Sequence, residues 1–225
     1  MLIIFDLDDT LIDTSGSVTP GVLLNALLEV QKQGHKFTDF DKALNDLLTL
    51  NKNKISARKA IFEFMQLNNI REKYIKLALE SVYERPNINK SVSPLLGAVE
   101  VLEYLSKRYL LGLVSKGKKS IQLEKMKKAG IHNNLFSKIY FTTKNNKKSY
   151  YAAICAETGV SPSSTIVCGD RISVDLSPAK ELNCKTVHIR WGRGLGDTGS
   201  NKDVDFTILH LSELKALTNR LQKVG

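Results

Sequence analysis

Cysteine is scarce and irregularly placed in this sequence: three residues, Cys155, Cys168 and Cys184, in a chain of 225. An odd number with no CxxC pair argues against a disulfide framework and a zinc cage, and fits a reducing compartment. Histidine is equally thin. His35, His132, His188 and His210 form no HxH or HExxH pattern, which leaves them as structural or surface residues. No apolar run approaches the roughly 20 residues of a membrane span. The first one, Leu2-Ile3-Ile4-Phe5, meets Asp6 too soon for a signal peptide. The expectation is a soluble, cytoplasmic protein with no membrane association. Acidic residues are also in deficit, 23 Asp+Glu against 33 Lys+Arg for a net charge of +10. Residues 101–150 hold 12 basic and 2 acidic residues, so the whole excess sits in one stretch. A basic block is compatible with nucleic acid, an anionic membrane surface, a phosphorylated small molecule or a solvated helix face, and charge alone does not choose.

What is present is an ordinary globular composition, 42% hydrophobic and 25% charged, long enough to bury a sizeable core. Short apolar runs at 2–5, 110–114, 139–141, 165–168 and 186–189 read as buried strands. Between and after them, amphipathic stretches near 94–107, 118–129, 149–158, 176–182 and 211–222 read as helices, with Ser93-Pro94 as the cap and first turn of the first one. Such alternation predicts an α/β fold, a Rossmann-like, doubly wound parallel sheet. Residues 17–86 break the pattern. Apolar spacing at Leu23, Leu24, Leu27, Leu28 and again at Ile61, Phe62, Phe64, Met65 is helical, so this segment reads as an all-helical insertion on a core made of 1–16 and 87–225. Four glycines between Gly192 and Asn201 suggest an exposed loop, and Trp191 just before it reads as packing.

Four motifs could carry chemistry. Asp6-Leu7-Asp8-Asp9-Thr10 follows the first strand, and ligands of open α/β sheets bind beyond the carboxyl ends of strands. Asp6 and Asp8, two apart, fall on one side of an extended segment and repel unless a cation or shared proton relieves them. The bland alternative is an Asx-rich turn with Asp9 and Asp13 solvated. Ser115 ends the second strand ahead of Lys116-Gly117-Lys118-Lys119, where a hydroxyl and backbone N–H groups could meet a phosphate, or serve only as a turn. Lys144, Lys147 and Lys148 precede a helix, and one of them could neutralise both a phosphoryl oxygen and a carboxylate. Gly169-Asp170, with Asp175 five residues on, follows the strand ending in Val167 and puts Asp170 at the same sheet edge as Asp6.

In this order, the DxDxT of Asp6 to Thr10, strand-end Ser115, a lysine before a helix and the GDxxxxD of Gly169 to Asp175 resemble the haloacid dehalogenase superfamily, with the helical insertion where that family places a cap domain. The resemblance implies a Mg²⁺-dependent phosphatase of a small soluble phosphorylated metabolite, working through an aspartyl phosphate. Asp6 would be the nucleophile and Asp8 the general acid and base. Asp6, the backbone carbonyl of Asp8, and Asp170 would hold the metal, with Asp175 supporting it. Ser115 and a lysine would hold the phosphoryl group. The family's lysine-proline pair is missing, and Asn145 occupies its ungapped position. A loop shortened by two residues brings Lys147 into register, with Lys148 and Lys144 as alternatives. The acid at Asp8 resembles the phosphatases and phosphomutases, since a halide leaving group needs no proton.

Two alternatives stand beside this reading. One is a phosphomutase of the β-phosphoglucomutase type. The other is a non-catalytic anion- or nucleic-acid-binding module, against which the intact carboxylates and the lack of aromatic residues among the lysines both argue. Tyr74, Tyr83, Arg58, Lys59 and Arg85 are the compositional candidates for substrate choice, their plain alternative being cap core or surface. Lys116, Lys118, Lys119, Lys144, Lys147 and Lys148 would flank the phosphate site, while Lys125, Lys127 and Lys128 would form a solvated helix face.

Overall fold

The computed structural model describes all residues except Ile55, Arg85, Asn87, 89–91, Asn145, Thr198 and Gly225. The chain divides into two compact units, Met1–Thr14 with Val92–Gly225, and Ser15–Ser91. The first unit is built on a parallel sheet of β1 (Leu2–Phe5), β2 (Leu110–Lys116), β3 (Lys138–Thr142), β4 (Thr165–Gly169), β5 (Lys185–Ile189) and β6 (Phe206–Ile208), in the spatial order β3-β2-β1-β4-β5-β6. Leu2, Ile3, Ile4 and Phe5 are all fully buried, so both faces of the central strand are covered. That is why its sequence is a continuous apolar run rather than an alternating one.

The helices of this unit are α5 (Ala98–Ser106), α6 (Lys119–Lys128), α7 (Lys147–Thr158), α8 (Ser177–Lys180) and α9 (Glu213–Val224). On one face, Tyr151, Ile154 and Cys155 of α7 pack with Leu2, Ile4, Val114, Val167 and Ala179. Gly112 allows this closeness, because a Cβ there would lie 3.2 Å from Ile154 and 3.3 Å from Ile4. Each fully buried aliphatic or aromatic side chain of this kind contributes about 1.5–3 kcal/mol.

The chain winds outward from β1 through β2 to β3, then crosses back to place β4 on the other side of β1. The order reverses between β1 and β4, and a crevice outside the carboxyl ends of the strands opens at such a reversal.

The second unit consists of α1 (Thr19–Lys32), α2 (Phe40–Asn53), α3 (Ala57–Leu67) and α4 (Glu72–Tyr83), with a core of its own. Leu23, Leu27 and Val30 of α1 meet Leu47 of α2, Ile61, Phe64 and Met65 of α3 and Ile75 and Ala78 of α4. Asp39 caps α2 by accepting from the Lys42 N–H at 2.9 Å, and Ser56 caps α3 by accepting from Lys59 at 3.3 Å.

Several sequence expectations are corrected. Ser93-Pro94 does not start α5. Pro94 pairs in extended form with Ile12, and the helix begins after Gly97, whose φ of +79° suits glycine. The short β6 goes unannounced by the sequence. The Gly192–Asn201 stretch is no free loop, since its first part is a tight turn packed against the aspartates described below.

Candidate active site

The β1–β4 pairing continues one residue past β1, where the Asp6 N–H donates to the Cys168 carbonyl at 3.0 Å. This fixes Asp6 at the strand reversal with its side chain buried. Lys147, the first residue of α7 and only 3% exposed, donates to Asp6 Oδ1 at 2.5 Å and to Asp175 Oδ1 at 2.6 Å. Lys148 lies outside this cluster, paired with Glu181 at the surface, and Lys144 bonds through its backbone to Thr142.

Asp170 follows β4, and Asp175 comes from the turn after it. Asp175 Oδ2 also accepts from the Arg171 N–H at 3.0 Å. A Cβ on Gly169 would stand 2.5 Å from the Asp175 Cβ, so glycine is what lets the carboxylate fold back over the strand end. One oxygen from each of Asp6, Asp170 and Asp175 lies within 4.8 Å of the others. Burial and mutual repulsion act on these acids. Burial, opposed by Lys147 but aided by Asp175 and Asp8, pushes Asp6 up to about 7, and burial with the charges of Asp175 and Asp6 holds Asp170 well above the usual carboxylate range. For Lys147, burial works against the charge, yet Asp175 and Asp6 outweigh it and keep the ammonium firmly protonated.

Asp8 has a separate set of partners. After Leu7 the chain turns tightly, with the N–H groups of Leu11 and Ile12 both donating to the Leu7 carbonyl and Asp9 left-handed at φ +58°. Asp8 Oδ1 accepts from Thr14 at 2.5 Å and from Lys125 Nζ at 2.7 Å, while Oδ2 accepts from Gln122 Nε2 at 2.8 Å. The same Gln122 nitrogen donates to Ser115 Oγ at 2.6 Å. Burial works to raise the Asp8 carboxyl, but the Lys125 charge and the hydrogen bonds from Lys125, Thr14 and Gln122 override it and hold the group below its ordinary value. Lys125 is thus no solvated residue as its sequence neighbourhood suggested. It points inward from α6 and is buried together with Gln122.

Asp9 and Asp13 are not solvated either. Asp9 is buried against Gly192, which has a φ of +51° and whose added Cβ would fall 2.4 Å from Asp9 Cγ. Asp13 accepts from the Trp191 indole N–H at 2.9 Å. A Cβ on Gly194 would lie 2.6 Å from the Asp170 carbonyl oxygen. His188 of β5, also buried, donates from Nε2 to that carbonyl at 2.9 Å, a contact that fixes its tautomer because a carbonyl can only accept.

The structure therefore gathers Asp6, Lys147, Asp170 and Asp175 in one cluster and Asp8 with Ser115 in an adjoining one. Sequence reasoning missed Thr14, Gln122, Lys125 and His188. No local signal marked two of them: positions 122, 125, 126 and 129 form the buried stripe of α6, but a glutamine and a lysine occupy two of the four, so the sequence shows no apolar stripe there. Of the substrate-choice candidates, Arg85 lies outside the described residues. Within the helical unit, Tyr74 donates to the Gln33 carbonyl, and Tyr83 both accepts from the Arg58 N–H and lies under its guanidinium.

The chain is similar to several known proteins. A glyceraldehyde 3-phosphate phosphatase of Methanocaldococcus jannaschii is 26% identical over 98% of this chain and 98% of its own. One of Pyrococcus furiosus is 27% identical over 97% and 93%. A magnesium-bound structure of YfnB from Bacillus subtilis shares the fold at a TM-score of 0.71 and 18% identity, covering 97% of this chain and 98% of that one. A family model described as haloacid dehalogenase-like hydrolase matches residues 3–189, and the chain belongs to that family.

Proposed function

We propose that the chain is a phosphatase of a small soluble phosphomonoester, with Asp6 as nucleophile and Asp8 as the proton-transfer group. The observation that carries this reading is the buried cluster of Asp6, Asp170 and Asp175, with the Lys147 ammonium paired to Asp6 and Asp175, at the carboxyl edge where the strand order reverses. Asp6 attacks phosphorus, and the electron pair of the breaking P–O bond goes to the ester oxygen, which takes a proton from Asp8; this step needs the acid form of Asp8, the minor form beside Lys125, Thr14 and Gln122. Water then attacks phosphorus of the aspartyl phosphate, the bond to the Asp6 oxygen breaks with its electron pair returning to the carboxylate, and inorganic phosphate leaves. The water's proton goes to Asp8, whose ionised form the partners Thr14, Lys125 and Gln122 hold ready. Ser115 and Lys147 hold the phosphoryl oxygens.

The donor set fits Mg²⁺. Three buried carboxylates lie within reach of one another, and a hard dication takes oxygen ligands. Asp6, Asp170 and the Asp8 backbone carbonyl would hold it, with Asp175 in support. When bound, it supplies the positive charge that lets an anionic phosphate approach a carboxylate nucleophile. Selection among phosphomonoesters is assigned to the helical unit, in keeping with the family's cap.

The test is hydrolysis of p-nitrophenyl phosphate with Mg²⁺, with EDTA, and with Asp6→Asn. It is followed by a panel of sugar phosphates headed by glyceraldehyde 3-phosphate, because both curated relatives are named for it. Metal-dependent phosphate release that the Asn variant abolishes is expected. Turnover surviving both EDTA and Asp6→Asn would overturn the mechanism, and isomerisation without phosphate release would point to a mutase instead.

A further inference from the structure

Helix α6 carries polar side chains on the face it buries. Gln122 and Lys125, one turn apart, replace apolar residues in a stripe that continues through Met126 and Ala129. Burying a lysine and a carboxamide costs several kcal/mol unless each finds partners, so their retention in a core stripe calls for a purpose. Both reach the same carboxylate. Lys125 Nζ is 2.7 Å from Asp8 Oδ1, and Gln122 Nε2 is 2.8 Å from Asp8 Oδ2 and 2.6 Å from Ser115 Oγ. Space for the glutamine is made by Gly117, where a Cβ would sit 2.8 Å from the Gln122 carboxamide carbon.

We propose that Gln122 and Lys125 are positioning residues for proton transfer by Asp8. Lys125 fixes one oxygen, and Gln122 fixes the other while tying it to the serine assigned to the phosphoryl group, so that ester oxygen and proton donor are set in one frame. This rests on the reading of Asp8 as the proton-transfer group. The proton moves from Asp8 to the ester oxygen as the P–O bond breaks, and a displacement of about 1 Å at such a point costs on the order of 10²-fold. The loss should grow with the basicity of the leaving group, because a poor leaving group depends most on the proton.

The test compares kcat/KM over a series of aryl phosphates, from p-nitrophenyl to unsubstituted phenyl phosphate, for wild type, Lys125→Met, Gln122→Met, Lys125→Arg and Asp8→Asn, with melting curves for each. Lys125→Met and Gln122→Met should lose about 10- to 100-fold on phenyl phosphate and less than about threefold on p-nitrophenyl phosphate, with Lys125→Arg recovering most of the loss. Should Lys125→Met fail to fold, Lys125→Gln, which keeps a donor without the charge, carries the same expectation. A steep dependence in Asp8→Asn with an even loss, or none, in the α6 variants overturns the inference alone. A flat series in Asp8→Asn overturns the reading of Asp8 and the inference with it.

Discussion

Three lysines lie close together in sequence ahead of α7, and the structure gives them three different surroundings. Lys147 is enclosed by Asp6 and Asp175, Lys148 meets Glu181 at the surface, and the Lys144 backbone turns on Thr142. If the Lys147 ammonium holds the phosphoryl group, Lys147→Ala should lower kcat by more than about 10²-fold, the scale of losing one preorganised donor. Lys144→Ala and Lys148→Ala should stay within about twofold in the same p-nitrophenyl phosphate assay. The aspartates at strand ends were legible in the sequence because a buried apolar run announces the edge at which it stops. Gln122, Lys125 and His188 were not, since each reaches its partner across a sequence separation of 18 to 117 residues. Nothing local to a lysine in a lysine-rich helix says that one of its neighbours in space is Asp8.

At the scale of elements, strands and helices with strong periodicity were readable to within a few residues, while short pieces were not. β6, with three residues, was too short for a pattern to emerge, and α8, read at 176–182, has only four. What holds them is a shared carboxylate. Asp205, just before β6, accepts from Lys180 of α8 at 2.5 Å and from the N–H and hydroxyl of Thr186 in β5 at 2.8 and 3.2 Å. Burial works against its charge, but the bonds from Lys180 and Thr186 prevail and hold the carboxyl below its ordinary value. A group depressed in this way adds stability that is full above its unfolded pKa of about 3.9 and is lost as pH falls through the folded value. Asp205→Asn should therefore cost about 1 kcal/mol at neutral pH, allowing for partial solvent screening. In urea titrations the gap between wild type and variant should close as pH drops below about 3.9.

Over the whole molecule, the doubly wound order explains why motifs scattered from Asp6 to Asp175 converge: parallel strands deliver every strand end to one edge. The charge excess belongs to the same scale. Lys116, Lys118, Lys119 and Lys144 are exposed in the segments around Ser115 and Lys147, where an approaching anion would meet them through solvent. Raising ionic strength from about 0.01 to 0.15 M shortens the Debye length from about 30 to 8 Å. Over that range kcat/KM for p-nitrophenyl phosphate should fall severalfold while kcat holds, and an unchanged kcat/KM would count against steering.

The turn at Gly192 to Gly196 looks, by composition, like the natural place to attach something. The contacts of Gly192 with Asp9 and of Gly194 with the Asp170 carbonyl make it the opposite, a segment whose outer side faces solvent and whose inner side is pressed onto two aspartates of the candidate site. A fluorophore, affinity handle or inserted peptide there would press on those aspartates. The turn at Gly159, where an added Cβ meets nothing within 4 Å, is the better port for labelling this protein, with the label on a flanking residue because the φ of +68° at Gly159 strains any side chain.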